Sequence, residues 1–183
     1  MPSAPFRCQM RLVLSDLDRQ VYAQRTVATA QYPDEPDTHI LLRFLAWTLF
    51  YQEAMRDGQG WLDQTQPDLW SFDLTGQLTL WVECGVPPMK RLCKALGRSK
   101  TGRFIALCSG DEEVARFRKE LKSERPRHQE LVELYHVPAE FLAWLEPHAG
   151  RNMDWTATIS DGTLYLDCNG HAGQCIVAPV ALA

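Results

Sequence analysis

The chain has 183 residues, 45% of them hydrophobic and 23% charged, with a net charge of −4. That is enough chain for one domain with a sizeable core, and the overall acidity argues against a general nucleic-acid coat. The N-terminal residues lack a signal segment's apolar run, and the apolar stretch from Ile40 to Trp47 is broken by Arg43, so no membrane association is expected.

Phe6 to Leu14 alternates and predicts a first strand; after the polar turn Ser15 to Arg19, residues 20 to 31 return as a second. Asp16-x-Asp18-Arg19 offers two carboxylates in that turn, which Arg19 can clamp. Pro33-Asp34-Glu35-Pro36 then opens a helix over about 36–56. Its apolar arc, with Ile40, Phe44, Trp47, Tyr51 and Met55 on one stripe, is too wide for a surface helix. Gly58 and Gly60 are expected to end it. Residues 69–74 and 78–83 form a hairpin. Pro87-Pro88 starts a helix through about Gly97, 103–108 is a buried strand, and Asp111 caps a charged helix to about Ser123. A strand over 130–135, a short helix over 138–145 and a hairpin turning at Asp161-Gly162 complete the order. A mixed α/β (α+β) fold follows, with a central mixed sheet flanked by helices and extra N- and C-terminal strands. The chain is expected to form one domain, its core over about 33–125 and terminal strands over about 6–31 and 153–168 pairing beside it.

The chemistry concentrates in the first hairpin. Leu78, Leu80 and Val82 take one face of its second strand, and Thr79, Trp81 and Glu83 the other. A turn centred on Thr75-Gly76 sets a register that brings Asp68 opposite Glu83, with β-carbons about 5 Å apart. Facing carboxylates repel unless something cationic sits with them, either a divalent metal or a nearby Lys or Arg. The plainer reading makes Asp68 a turn residue and Glu83 an exposed strand end; Asp73, nearer the turn, reads as structural. Hard cations such as Mg²⁺ take carboxylate oxygens, so Asp68 and Glu83 suit a metal that polarises a phosphate and orients water.

Between Cys84 and Gly110 there is no Asp or Glu, whereas Lys90, Arg91, Lys94, Arg98, Lys100 and Arg103 all fall there. Such a face can hold a phosphate backbone, so nucleic acid is an expected partner through Lys90, Arg91, Lys94 and Arg98; the alternative is a solvated helix face. None of the six cysteines has C-x-x-C spacing, and a cytoplasmic protein with reduced thiols is expected. Cys168-x-x-His171-x-x-x-Cys175 contains soft ligands but lacks the four that a structural zinc wants. His39, His128, His136 and His148 show no metal-ligand pairing and read as surface or satisfied histidines.

Several separated segments resemble the YaeQ family over essentially the whole length. They are Asp16-Leu17-Asp18-Arg19, Pro33-Asp34-Glu35, Leu41 to Trp47, Pro67-Asp68-Leu69-Trp70, Trp81 to Gly85, Arg91 to Ala95, and the Ile159-to-Leu166 hairpin. The resemblance implies a variant of the restriction-endonuclease-like PD-(D/E)xK fold. In it Asp68 looks like the Asp of the PD pair, Glu83 like the acid of the next strand, and Glu35 like the acid of the first core helix. The usual lysine two places after Glu83 is Gly85 here, and Lys94 resembles a migrated substitute. Two functions follow from it: a metal-dependent phosphodiesterase or nuclease using Asp68, Glu83 and Lys94 with Mg²⁺ held by Asp68, Glu83 and Glu35, or an inactive nuclease-fold binding module.

Overall fold

The computed structural model describes residues 5–99 and 101–183. Two mixed sheets sandwich one buried helix. The first sheet contains β1 (Phe6–Asp16), β2 (Val21–Gln31), β8 (Asn152–Ser160), β9 (Thr163–Cys168) and β10 (His171–Ile176), in the order β10-β9-β8-β1-β2. The second contains β3 (Arg56–Asp57), β4 (Leu69–Phe72), β5 (Leu78–Cys84), β6 (Arg103–Ser109), β7 (Val132–Val137) and β11 (Pro179–Val180), in the order β11-β7-β6-β5-β4-β3. Helix α1 (Asp37–Leu49) lies between them, buried from Ile40 through Leu49. Helices α2 (Met89–Arg98) and α3 (Gly110–Glu124) cover the other face of the second sheet, and α4 (Ala139–Leu145) packs on β10.

Sequence alternation explains these layers. Leu80, Val82 and Cys84 of β5 face the α1 core together with Leu69, Phe44 and Leu45. Trp81 faces the opposite core with Phe104, Leu92, Leu96 and Phe117. A strand buried on both faces must be apolar on both, as β6 is from Phe104 to Cys108.

The mixed α/β architecture is as expected, the core strands forming one mixed sheet and the terminal strands pairing with one another in a second, where β8 lies parallel to β1. Three expectations need correction. Helix α1 ends at Leu49 instead of near 56. Arg19 and Arg25 hold the carbonyls of Tyr51 and Glu53, and Arg56 pairs with Trp70, so the chain leaves the helix to start an edge strand. The first hairpin strand stops at Phe72 rather than 74: Asp73 accepts the backbone N–H groups of Thr75 and Gln77 and so closes the turn. The 130–135 strand moves to Val132–Val137, since Gln129–Leu131 forms a single 3₁₀ turn. Strands β3, β10 and β11 were not expected at all.

Local polar chemistry fixes the ends. Asp16 accepts Arg19's backbone N–H and its guanidinium, so Arg19 does clamp that turn. Asp18 accepts the backbone N–H groups of Asp161 and Gly162, tying the β1–β2 turn to the β8–β9 turn.

One loop positions the site. The segment between β3 and β4 folds so that Gly58 and Gly60 lie directly against Pro67. A β-carbon on Gly58 would fall 2.0 Å from the Pro67 carbonyl oxygen, and one on Gly60 2.7 Å from its carbonyl carbon. Gly58→Ala is therefore expected to push the Pro67-Asp68 segment out of place and cost about 1–3 kcal/mol or more. Urea denaturation measures this; wild-type stability in the variant would show that the loop closes without the contact.

Candidate functional site

The hairpin register is as expected where it matters. Leu69 pairs with Val82, Trp70 with Trp81 and Ser71 with Leu80, before a bulge shifts Phe72 onto Leu78. Asp68 therefore stands beside Glu83 at the end of β5, and both are buried, at 3% and 1% exposure. The Asp68 carboxylate accepts the Cys84 backbone N–H at 2.7 Å through Oδ2. Neither acid is an exposed strand end.

Each has its own cation. Arg91 forks Glu83, with Nε 2.9 Å from Oε1 and Nη2 on Oε2, while its Nη1 donates to the Gly60 carbonyl at 2.8 Å. Trp81 Nε1 donates to Glu83 Oε1 at 2.8 Å. Asp68 is served by His39, whose Nε2 lies 3.3 Å from Oδ1. His39 Nδ1 lies 2.6 Å from Glu35 Oε1, and Arg43 Nη1 reaches that same oxygen at 3.1 Å. Arg43 also donates to Thr29 and to the Ala30 carbonyl, and Trp47 Nε1 donates to Asp57 at 3.1 Å. Glu35, His39, Arg43 and Trp47 recur every fourth residue and so form one ridge into and along α1.

The charge states follow from these contacts. Burial alone would lower the His39 imidazole, but the carboxylates of Asp68 and Glu35 prevail and raise it to about 9, making it an imidazolium. Burial opposes ionisation of Asp68 and Glu35, yet His39 chiefly, aided by Arg43 and backbone N–H donors, lowers both. At Glu83, burial leads and, with the neighbouring Asp68 charge, lifts the carboxyl to about 7 against the pull of Arg91. Burial and the nearby acids hold the Cys84 thiol well above its ordinary value, so it is no thiolate nucleophile.

A cleft of about 550 Å³ opens onto this cluster, lined by His39, Trp61, Asp68, Cys84, Gly85 and Arg91, among others. The Trp61 ring lies 4.9 Å from that of His39. Gly85 takes φ +80°, a left-handed turn that leads from β5 to α2. Next to the cleft, a groove of about 760 Å³ lies between the hairpin and α2. Arg91 and Gln64 line both cavities.

The sequence-predicted residues thus fall into two groups. Glu35, Asp68 and Glu83 converge on one cluster through His39 and Arg91. Lys94 stands one turn beyond Arg91, exposed, and lines the groove together with Lys90 and Arg98. The guanidinium on Glu83 is Arg91, expected on the basic face, and the cation on Asp68 is His39, expected only as a surface or satisfied histidine. The signal for His39 was its i, i+4 spacing between Glu35 and Arg43.

A divalent metal fits this donor set poorly as it stands. Both oxygens of Asp68 and both of Glu83 already receive protein donors. Among the described residues, no three His, Cys, Asp or Glu side chains form a metal-holding group. Likewise among the described residues, no helix is long and apolar enough to cross a membrane.

A family model described as "YaeQ protein" matches residues 1–177. "Uncharacterized protein YaeQ" of Escherichia coli (strain K12) is 26% identical over 153 residues, covering 84% of this chain and 83% of that protein. Its counterpart from Salmonella typhi matches to the same extent. Among solved structures, the YaeQ protein from Pseudomonas syringae superposes with a TM-score of 0.85 at 25% identity, covering 97% of this chain and 96% of that one. The YaeQ protein from Xanthomonas axonopodis pv. citri gives 0.83 at 26% identity, covering 96% and 97%.

Proposed function

Since this chain belongs to the YaeQ family, we propose that it is a nuclease-like binding module that holds a phosphate polymer along α2. One observation carries this reading. The buried acids are neutralised by the protein's own cations, Arg91 on Glu83 and His39 on Asp68, while Lys90, Lys94 and Arg98 stand exposed on one side of α2. Those three recur every fourth residue, opposite the buried Leu92 and Leu96. Buried acids paired this way hold Arg91 and His39 in place; they do not leave open positions for a metal.

The restriction-endonuclease-like fold is part of the proposal. It is supported by the succession α1, β4–β5 hairpin, α2 and β6, and by two acids side by side at the end of β5.

A second reading is a metal-dependent phosphodiesterase, with Asp68, Glu83 and Lys94 catalytic and Glu35 helping to hold Mg²⁺. The observation that favours it is the meeting of Glu35, Asp68 and Glu83 in one cluster beside a cleft that shares Arg91 with the basic groove. It requires His39 and Arg91 to give up their acids to the ion.

Binding of a fluorescent oligonucleotide, followed by anisotropy across a salt series, tests the first reading. Affinity is expected to fall linearly on logarithmic axes, because neutralised phosphates release counterions. Removing Lys90, Lys94 and Arg98 together should flatten that slope by about 2. A flat salt response, or a triple variant that binds like wild type, would remove the reading. Calorimetric titration with Mg²⁺ and Mn²⁺ addresses the second. Metal uptake and hydrolysis that both vanish in an Asp68→Ala, Glu83→Ala double variant would transfer the conclusion to the enzyme.

A further inference from the structure

The groove between the β4–β5 hairpin and α2 has two unlike walls. One is the cationic row of Lys90, Lys94 and Arg98. The other is aromatic: Trp70 and Phe72 alternate on one face of β4, and Trp81 stands across from Trp70. The Trp70 ring meets those of Phe72 and Trp81 edge-on, with centroids 5.2 and 6.1 Å away. Trp81 is almost fully buried and serves as the floor, whereas Trp70 and Phe72 are only half-buried. Among the described residues, no Asp or Glu lines the groove.

A phosphate polymer by itself needs only the cationic wall. Partly exposed aromatic rings facing it call for a flat apolar partner that carries negative charge at regular intervals. Nucleobases joined by phosphates have that chemistry. In a duplex the bases stack on each other and offer only their edges, so their faces are covered. In a single strand every base has a free face for an aromatic side chain.

We propose that this groove binds a single-stranded oligonucleotide, with unpaired bases against Trp70 and Phe72 and phosphates along Lys90, Lys94 and Arg98. The proposal rests on the phosphate-polymer reading above and deepens it by naming the ligand as unpaired. The volume of about 760 Å³ lies in the range of small-ligand sites, so the groove takes a nucleotide or two and the rest of the strand passes outside.

The experiment compares three labelled ligands of equal length by anisotropy: an oligothymidylate, the same strand annealed to its complement, and an abasic strand with the same phosphates. The oligothymidylate is expected to bind at least about fivefold more tightly than either of the others and to quench tryptophan fluorescence. Phe72→Leu keeps an apolar side chain but removes the π face. It should weaken oligothymidylate binding about fivefold while leaving binding of the abasic strand unchanged; any fall in melting temperature reports loss of the contact with the Arg56 guanidinium, 4.9 Å from the ring centroid, and not of the base contact. Trp70→Leu repeats the test if that variant fails to fold. Abasic or duplex ligand binding as tightly as the oligothymidylate would overturn the stacking proposal while the phosphate-polymer reading survives. Failure of all three ligands to bind at low salt would overturn both.

Discussion

Replacing Arg91 with alanine is expected to destabilise the fold by about 3–5 kcal/mol, because it leaves a buried carboxylate without its counter-charge. For a chain of this size that corresponds to a fall in melting temperature of roughly 6–20 °C. Arg91 is itself 8% exposed, forks both oxygens of Glu83 and ties the Gly60 carbonyl into the same knot. Loss of the fork also removes what opposes Glu83 protonation, so the carboxyl would rise further above 7. The variant should escape part of its penalty by taking up a proton, and it should lose more stability at pH 8 than at pH 5. Lys94→Ala provides the contrast. Lys94 is exposed on the groove side, and its removal should leave the melting temperature within about a degree. Denaturant unfolding of both variants at two pH values decides the matter. If Lys94→Ala were the costly one, the assignment of the Glu83 partner would be wrong. A double variant with Glu83→Leu and Arg91→Met should recover much of the loss, since a buried ion pair often contributes no more than well-packed apolar side chains.

His39 should make the fold lose stability as pH rises above neutrality. Its folded pKa, about 9, lies above the unfolded value of about 6.5, so the native state holds a proton that the unfolded chain releases. The stabilisation is therefore complete below about pH 6.5 and is lost as pH climbs through 9. A shift of that size is worth at most about 3 kcal/mol by linkage. Glu83 tilts the curve the same way: its raised pKa gives a contribution that is complete below its unfolded value and fades as pH passes about 7. On the acid side the sign reverses. Asp68 and Glu35 titrate below their ordinary values, so their contribution is present above the usual carboxylate range and disappears as pH falls through their lowered pKa values. Stability should accordingly peak at about pH 4.5, falling first as Glu83 loses its proton on the way to about 7 and then further as His39 loses its own on the way to about 9. His39→Asn should remove most of the decline between pH 6.5 and 9, leaving Glu83's share near 7. Unfolding free energies at pH 5.5, 7 and 9 measure this. An undiminished slope between 7 and 9 in the variant would show that His39 does not carry the proton.

Both expectations concern side chains whose importance was unevenly visible in the sequence. The hairpin was legible because its information is local. A tight turn, alternating apolar residues and Trp81-Val82-Glu83 set the register from neighbouring positions, and Asp68 beside Glu83 follows from it. The bulge at Phe72 falls beyond the paired residues that matter and leaves that placement intact. The basic row on α2 was legible for the same reason, since Lys90, Lys94 and Arg98 share a face of a helix opened by Pro87-Pro88.

What the sequence by itself determined, then, were the features set by neighbouring residues: the alternating strands, the hairpin register, the cationic helix face and the meeting of two acids. Tertiary structure decided which cation each acid receives and where α1 stops. The rotation of α2 against β5 turns Arg91 inward to Glu83 and Lys94 outward to the groove, a choice of phase that helical periodicity leaves open until Leu92 and Leu96 find their core. His39 becomes a bridge only because α1 is pinned between the two sheets, close enough to the end of β4 for its ring to reach Asp68. The end of α1 is fixed by Arg19 and Arg25, which reach carbonyls 32 and 28 positions away. Division into two sheets rests on β1 accepting β8 from the other end of the chain. Backbone periodicity acts over a few residues, whereas the pairing of a buried charge depends on which elements pack together, and only the assembled core fixes that.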